Sequence, residues 1–225
     1  MGKRGPKPKG KVKIKWSADF AYAIGLLATD GCLSVDGRHI DFTSKDIEQI
    51  RNFLKALKID IKIGTKLNSN KNLSYRVQFS DIPFHSFLNG VGLTPRKSLT
   101  IGELYVPDEL FFDFLRGCLD GDGSTYSYWD PRWKSSFMFY TGFASGSLKF
   151  LTWIRKEILS KLKIKGHITS SRGRSFYQLK YAKNESLVLL RAMYYPRVRS
   201  FLKRKKLKID KALAIVGRKI WGHVV

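Results

Sequence analysis

Ala23-Ile24-Gly25-Leu26-Leu27-Ala28-Thr29-Asp30-Gly31 returns further along the chain as Leu115-Arg116-Gly117-Cys118-Leu119-Asp120-Gly121-Asp122-Gly123, at an offset of 92 residues from Asp30 to Asp122. Each copy is an apolar run with a glycine third and Asp-Gly last. Glycine inside a helix costs about 1 kcal/mol relative to alanine, so matched glycines in two apolar helices predict close backbone contact between them, at Gly25 and Gly117. Helices packed in this way bring their C-termini, and with them Asp30 and Asp122, to one place. A carboxylate there faces the negative end of the helix macrodipole. Two together call for a compensating cation.

The repetition extends well beyond these nine residues. Phe42-Thr43-Ser44 matches Phe143-Ala144-Ser145, Leu57-Lys58-Ile59 matches Leu162-Lys163-Ile164, and Tyr75-Arg76-Val77-Gln78-Phe79 matches Tyr177-Gln178-Leu179-Lys180-Tyr181. Arg96-Lys97-Ser98-Leu99 then aligns with Arg204-Lys205-Lys206-Leu207 as intervening loops lengthen. Ser17 and Asp19 signal the start of the first motif helix, and Pro107 with Asp108 the start of the second. Amphipathic helices are predicted over 46–57 and 147–162, strands over 60–67, 74–80, 165–171 and 176–181, and a lysine-rich helix over 201–221. The expected fold is α+β: one αββαββα-like unit used twice, with pseudo-twofold symmetry and antiparallel sheets. Residues 1–16 read as a basic flexible arm able to lie in a nucleic-acid groove, 17–106 as the first half and 107–225 as the second.

Composition sets the class of partner. The 225 residues include 42 Lys and Arg against 18 Asp and Glu, a net charge of +24, and an isoelectric point near 10.1. That excess points to a polyanion. No run of about 18 apolar residues exists and no signal-peptide core is apparent at the N-terminus, so nucleic acid is preferred to a membrane surface. Cys32 and Cys118 lack metal or redox spacing and read as reduced packing residues of an intracellular protein. His39, His85, His167 and His223 show no ligand spacing.

Both nine-residue segments resemble the signature of the LAGLIDADG homing endonucleases, and together they are similar to the single-chain, two-motif form of that family over about residues 17–210. The resemblance implies a monomer that makes a site-specific double-strand break in a long, pseudo-palindromic DNA target, acting alongside the host genome. It implies that Asp30 and Asp122 are the metal-binding catalytic residues, with Mg²⁺ as cofactor, or Mn²⁺ in its place. Hard dications held by a few carboxylates suit phosphodiester hydrolysis. Lys97 and Lys205 resemble the family's active-site lysines, with Lys206 an alternative to Lys205, while Lys45 and Asp46 sit where another polar site residue often lies. Ala28 replaces the acid seen at Asp120, which predicts an asymmetric site. Related proteins of this fold act as intron maturases that bind RNA, or as regulators that have lost the carboxylates.

The strand-like segments carry the recognition expectation. Arg76, Gln78 and Ser80 alternate with Tyr75, Val77 and Phe79, so one sheet face is polar and fits the major groove. By the same alternation His39, Asp41 and Thr43, then Lys62 and Lys66, and in the second half His167, Gln178 and Lys180, are candidate DNA-binding residues. The loop over 126–136 is longer than its first-half counterpart and offers Arg132 and Lys134 to phosphates, with Trp129 and Trp133 nearby.

Overall fold

Helix α1 (Ala18–Thr29) has no polar face: every residue from Phe20 to Ala28 is buried. A helix apolar all round is stable only inside a core, and its companion is α4 (Phe111–Asp120), buried from Asp113 to Asp120. Between them the glycines touch. A Cβ added to Gly25 would stand 2.1 Å from the Phe114 carbonyl oxygen, and one on Gly117 would stand 2.1 Å from that of Tyr22. This reciprocal approach is the seam on which the two halves join. The computed structural model describes residues 10–67, 72–170 and 175–217.

Each half adds a four-stranded antiparallel sheet. In the first, β1 (Gly31–Leu33), β2 (His39–Ser44), β3 (Gly64–Leu67) and β4 (Leu73–Ser80) lie in the order β1-β2-β4-β3. In the second, β5 (Ser124–Trp129), β6 (Phe137–Ser145), β7 (His167–Ser170) and β8 (Tyr177–Tyr181) repeat that order as β5-β6-β8-β7. Registers agree as well: Phe42 lies opposite Val77 as Phe143 lies opposite Leu179. All four of these residues are buried on the core side.

The amphipathic helices α2 (Ile47–Leu57) and α5 (Leu148–Leu162) pack behind the sheets. They start at equivalent N-caps, the Asp46 carboxylate accepting from Glu48 N–H and the Ser147 hydroxyl from Phe150 N–H. They also end alike, on left-handed Lys58 and Lys163. The halves continue with α3 (Ile82–Gly90) and α6 (Lys183–Met193), and only the second adds α7 (Lys203–Ile215). The fold is thus α+β with two related halves, as the repeat predicts. Among the described residues no helix is long and apolar enough to cross a membrane.

Four expectations need correction. The strand expected over 60–67 forms only at Gly64–Leu67. Ile61 and Ile63 pack against the core from a stretch outside the ladder, so exposed Lys62 lies off the sheet. The basic arm is also not free throughout. Residues 1–9 fall outside the described residues, but Lys11 and Val12 donate backbone N–H groups to the Asp81 carboxylate at 2.6 and 2.8 Å. Asp81, the N-cap of α3, has acceptor capacity left after receiving Phe84 N–H. Val12 is buried, and Trp16 packs edge-on against Phe20, Phe87 and Tyr105. Finally, Cys118 is a buried packing residue, whereas Cys32 is exposed on the sheet face beside Asp41. The lysine-rich helix expected over 201–221 ends at Ile215, and its last expected residues, 218–221, lie outside the described ones.

Candidate active site

The motif glycines shape the two helix ends. At Gly31 and Gly123 the chain folds back over the final turn so tightly that an added Cβ would meet the Cα of Leu27 at 2.7 Å and that of Leu119 at 2.5 Å. At Gly121 the obstruction comes from the other half: a Cβ there would meet Thr29 Oγ1 at 2.0 Å and Asp30 Oδ2 at 2.9 Å. The C-terminus of α1 therefore lies against that of α4, and Asp30 and Asp122 share one site.

Burial dominates their electrostatics, and the charges of Lys97 and Lys205 offset it only in part. Loss of solvation, then the negative charge of Asp122, pushes the Asp30 carboxyl up to about 6. Asp122 keeps contact with solvent but is raised too, by desolvation among the crowded helix ends. Raised carboxylates favour binding a cation or a proton. Among the described residues no three His, Cys, Asp or Glu side chains gather at one point. The two aspartates nevertheless offer the hard oxygens that suit Mg²⁺ or Mn²⁺, cations that keep several waters and bind through one or two carboxylates plus substrate phosphate.

Lys97 and Lys205 occupy equivalent places beside this pair. Lys97, buried despite its charge, donates from Nζ to the Thr29 carbonyl at 3.2 Å. Lys205 donates to the carbonyls of Leu119, Gly121 and Gly123 at 2.6, 2.8 and 2.7 Å. Each ammonium thereby caps a helix C-terminus, where a cation is favoured. Burial lowers both, Lys205 to about 8, against the pull of the nearby carboxylates. Lys206 instead pairs with Asp210 at 2.5 Å, so Lys205 is the lysine at the helix ends. Asp46 caps α2 and accepts from Arg204 across the halves at 2.6 Å.

Sequence reasoning missed Gln49. Its Nε2 donates to Asp30 Oδ2 at 3.1 Å and to the Asp120 carbonyl at 3.2 Å, while its Oε1 accepts from Ser44 at 2.7 Å. Counted from the equivalent N-caps Asp46 and Ser147, its counterpart is Phe150, so only Asp30 receives this support. Asp120, where the first motif has Ala28, points away from the pair: its Oδ2 accepts from the Tyr22 hydroxyl at 2.8 Å and Leu202 N–H at 2.7 Å. It thereby ties down the segment leading to Lys205. The expected asymmetry of the site thus resides in support around the acids. An acid at motif position six in one copy only was the available signal.

The candidate DNA-binding residues fall into three groups. Asp41, Thr43, Arg76 and Gln78 lie on the sheet face opposite buried Ile40, Phe42, Val77 and Phe79, joined by His39 and Lys66. Gln178, Lys180 and His167 occupy the corresponding face of the second sheet. Arg132 and Lys134 lie in the turn between β5 and β6. Several are already engaged: Arg76 pairs with Asp41, His39 with Asp36, and Arg132 with Asp130. Trp129 packs on Phe137, with ring centroids 5.1 Å apart, and Trp133 is exposed. His85 is a core residue held by the Ser34 carbonyl and Asn89.

No family model matches the sequence, and no curated protein does so at sequence level. Solved structures do resemble the fold. Full-length DUF199/WhiA from Thermatoga maritima matches 96% of this chain with TM-score 0.54 at 20% identity, and the chain spans 66% of its length. The homing endonuclease I-WcaI, bound to its DNA recognition sequence, matches 92% of this chain and 95% of its own with TM-score 0.59 at 14% identity. I-DmoI, solved with DNA and Mn, matches 80% of this chain and 98% of its own with TM-score 0.52 at 13% identity. The repeated sheets, the glycine seam and these likenesses together identify the architecture as the two-half LAGLIDADG fold.

Proposed function

We propose that the chain is a site-specific DNA endonuclease that acts as a monomer and makes a metal-dependent double-strand break in a long, pseudo-palindromic target. The observation that carries this reading is the meeting of Asp30 and Asp122 at two helix ends flanked by Lys97 and Lys205. One chain supplies both acids, so no second copy is needed. The net charge of +24 and two polar sheet faces suit the DNA, as do the DNA-bound neighbours of this fold.

Asp30 and Asp122 would hold Mg²⁺ or Mn²⁺. When bound, such an ion activates water and neutralises charge on the attacking and leaving oxygens. Gln49 holds the Asp30 carboxylate in place through Oδ2 and leaves Oδ1 for a ligand. Lys97 and Lys205 fix the helix termini from which the acids project and place positive charge where the two strands' phosphates would approach. Burial of the lysines strengthens that field.

The test is Asp30→Asn and Asp122→Asn. A randomised plasmid library incubated with the protein and Mg²⁺, then sequenced, yields the target. Each variant should bind it with nearly unchanged affinity and leave both strands uncut, because the change removes a ligand and little contact area. Cleavage by either variant at the parental rate would refute the assignment. Selective binding without cleavage by the parent would leave a DNA-binding protein in place of a nuclease.

A further inference from the structure

The two sheets present the same four ladder positions with opposite chemistry. In the first, Thr43 lies opposite Arg76 and Asp41 opposite Gln78; in the second, Ala144 lies opposite Gln178 and Gly142 opposite Lys180. The flanking pairs Phe42 with Val77 and Phe143 with Leu179 are buried in both sheets. These positions are therefore superimposable by register, and all face away from the core.

What they carry differs in kind. Arg76 donates through Nε and Nη2 to Asp41, whose other oxygen accepts from the Thr43 hydroxyl at 3.0 Å. A guanidinium has five N–H donors, and this pairing fixes its plane while leaving others free. Guanine offers O6 and N7 as acceptors, which Arg meets bidentately, and its partner cytosine offers an N4 amino donor to a carboxylate. Thymine would instead present its O4 acceptor to Asp41, which is repulsive. In the second sheet the charged pair is gone. Gly142 and Ala144 leave a small depression bordered by Tyr126, Gln178 and Lys180. Tyr126 stacks on Tyr140, its partner across the ladder, with ring centroids 5.0 Å apart, which gives the depression an apolar wall. Glutamine meets adenine bidentately at N6 and N7, and the Ala144 methyl, in a depression also lined by Ser124, offers apolar contact to the 5-methyl of the paired thymine.

We propose that these equivalent positions read different base pairs: Arg76 with Asp41 selects a G·C pair in one half-site, and Gln178 over the Gly142–Ala144 depression selects an A·T pair in the other, with the thymine methyl seated in the depression. This rests on the endonuclease reading above. It makes the target asymmetric at two positions equidistant from its centre, and it assigns the asymmetry to side chains.

The test uses the full chain with Ca²⁺ in place of Mg²⁺, so that a randomised duplex library is bound and sequenced uncut. The bound pool should carry G·C at the first position and A·T at the second. Gln178→Ala should flatten the A·T preference, a loss of about 5- to 150-fold in discrimination, and spare the first half-site. Arg76→Gln combined with Asp41→Gly, which also removes the carboxylate that repels thymine O4, should move the first position from G·C toward A·T. Replacing the key thymine by deoxyuridine, which lacks only the methyl, should weaken binding about four-fold in the second half-site. The same replacement at thymines of the first half-site should change nothing. Enrichment of the same pair at both positions, an Arg76→Gln/Asp41→Gly profile that keeps G·C, or an indifferent deoxyuridine duplex overturns the proposal while leaving the endonuclease reading intact. A pool with no enriched sequence overturns both.

Discussion

Replacing Gly25 by alanine sets two effects of known size against each other. Alanine favours a helix by about 1 kcal/mol over glycine, so local propensity alone predicts a gain. Packing predicts the reverse. The new methyl would stand 2.1 Å from the Phe114 carbonyl oxygen and 3.0 Å from both Cys118 N and Gly117 Cα. Ordinary contact begins at 3.4 Å, so α1 and α4 must part by about 1.3 Å. The obstacle is backbone, which cannot turn aside as a side chain can. Overpacking usually costs about 1 to 3 kcal/mol, and a backbone obstacle puts this case at the upper end. The net loss is then about 2 kcal/mol, or about 4 to 8 °C in melting temperature for a chain of this size. Urea unfolding at neutral pH measures it, with Gly90→Ala as control, since nothing lies within 4 Å of a Cβ there. Gly117→Ala should cost as much, and the double variant less than the sum, because the helices need part only once. A Gly25→Ala protein as stable as the parent would refute the close crossing, and with it the meeting of Asp30 and Asp122.

Three further outcomes follow from the same geometry. Asp30→Asn should stabilise the metal-free protein at neutral pH by about 1 kcal/mol, because it removes one of two like charges from a poorly solvated place; Mg²⁺ should raise the melting temperature of the parent and not of the variant, and a variant less stable than the parent in EDTA would contradict this. Lys205→Met strands three carbonyls and should cost about 2 kcal/mol, whereas Lys206→Met breaks the pair with Asp210 and a cation–π contact with the Tyr194 ring and should cost about 1 kcal/mol or less; equal losses in chemical denaturation would mean the two roles are wrongly divided. Arg116 is buried and donates to Asp113, Met193 and Ser200 at 2.6, 2.6 and 2.8 Å, so Arg116→Met should cost about 3 to 5 kcal/mol. Adding Asp113→Asn should recover part of that loss, and strict additivity in the double-mutant cycle would argue against their coupling.

Much of this architecture was legible in the chain because it repeats. Internal repetition reports matched environments, and a glycine retained twice within apolar helices has few physical reasons other than close approach. The strand alternation likewise sorted Val77 and Phe79 from Arg76 and Gln78 correctly, since strand side chains alternate between two faces. Where alternation was extended beyond the ladder it failed. Lys62 sits in an alternating segment, but isoleucines can pack on a core from an extended stretch that pairs with nothing. The basic N-terminal segment misled for a similar reason: its composition reads as arm, yet two backbone N–H groups find Asp81.

The sequence by itself determined the two halves, their order of elements, the glycine seam and the two aspartates, because each of these is written in spacing and residue type within a short window. Tertiary structure alone decided which lysine caps the second helix, that Gln49 steadies Asp30 while Phe150 leaves Asp122 without such a partner, and that Arg76 is held by Asp41 where Gln178 stands over a depression. Those facts depend on contacts between residues far apart in the chain. Lys205 and Lys206 are chemically alike and adjacent, so only the path of the backbone at the start of α7 turns one toward the helix carbonyls and the other toward Asp210.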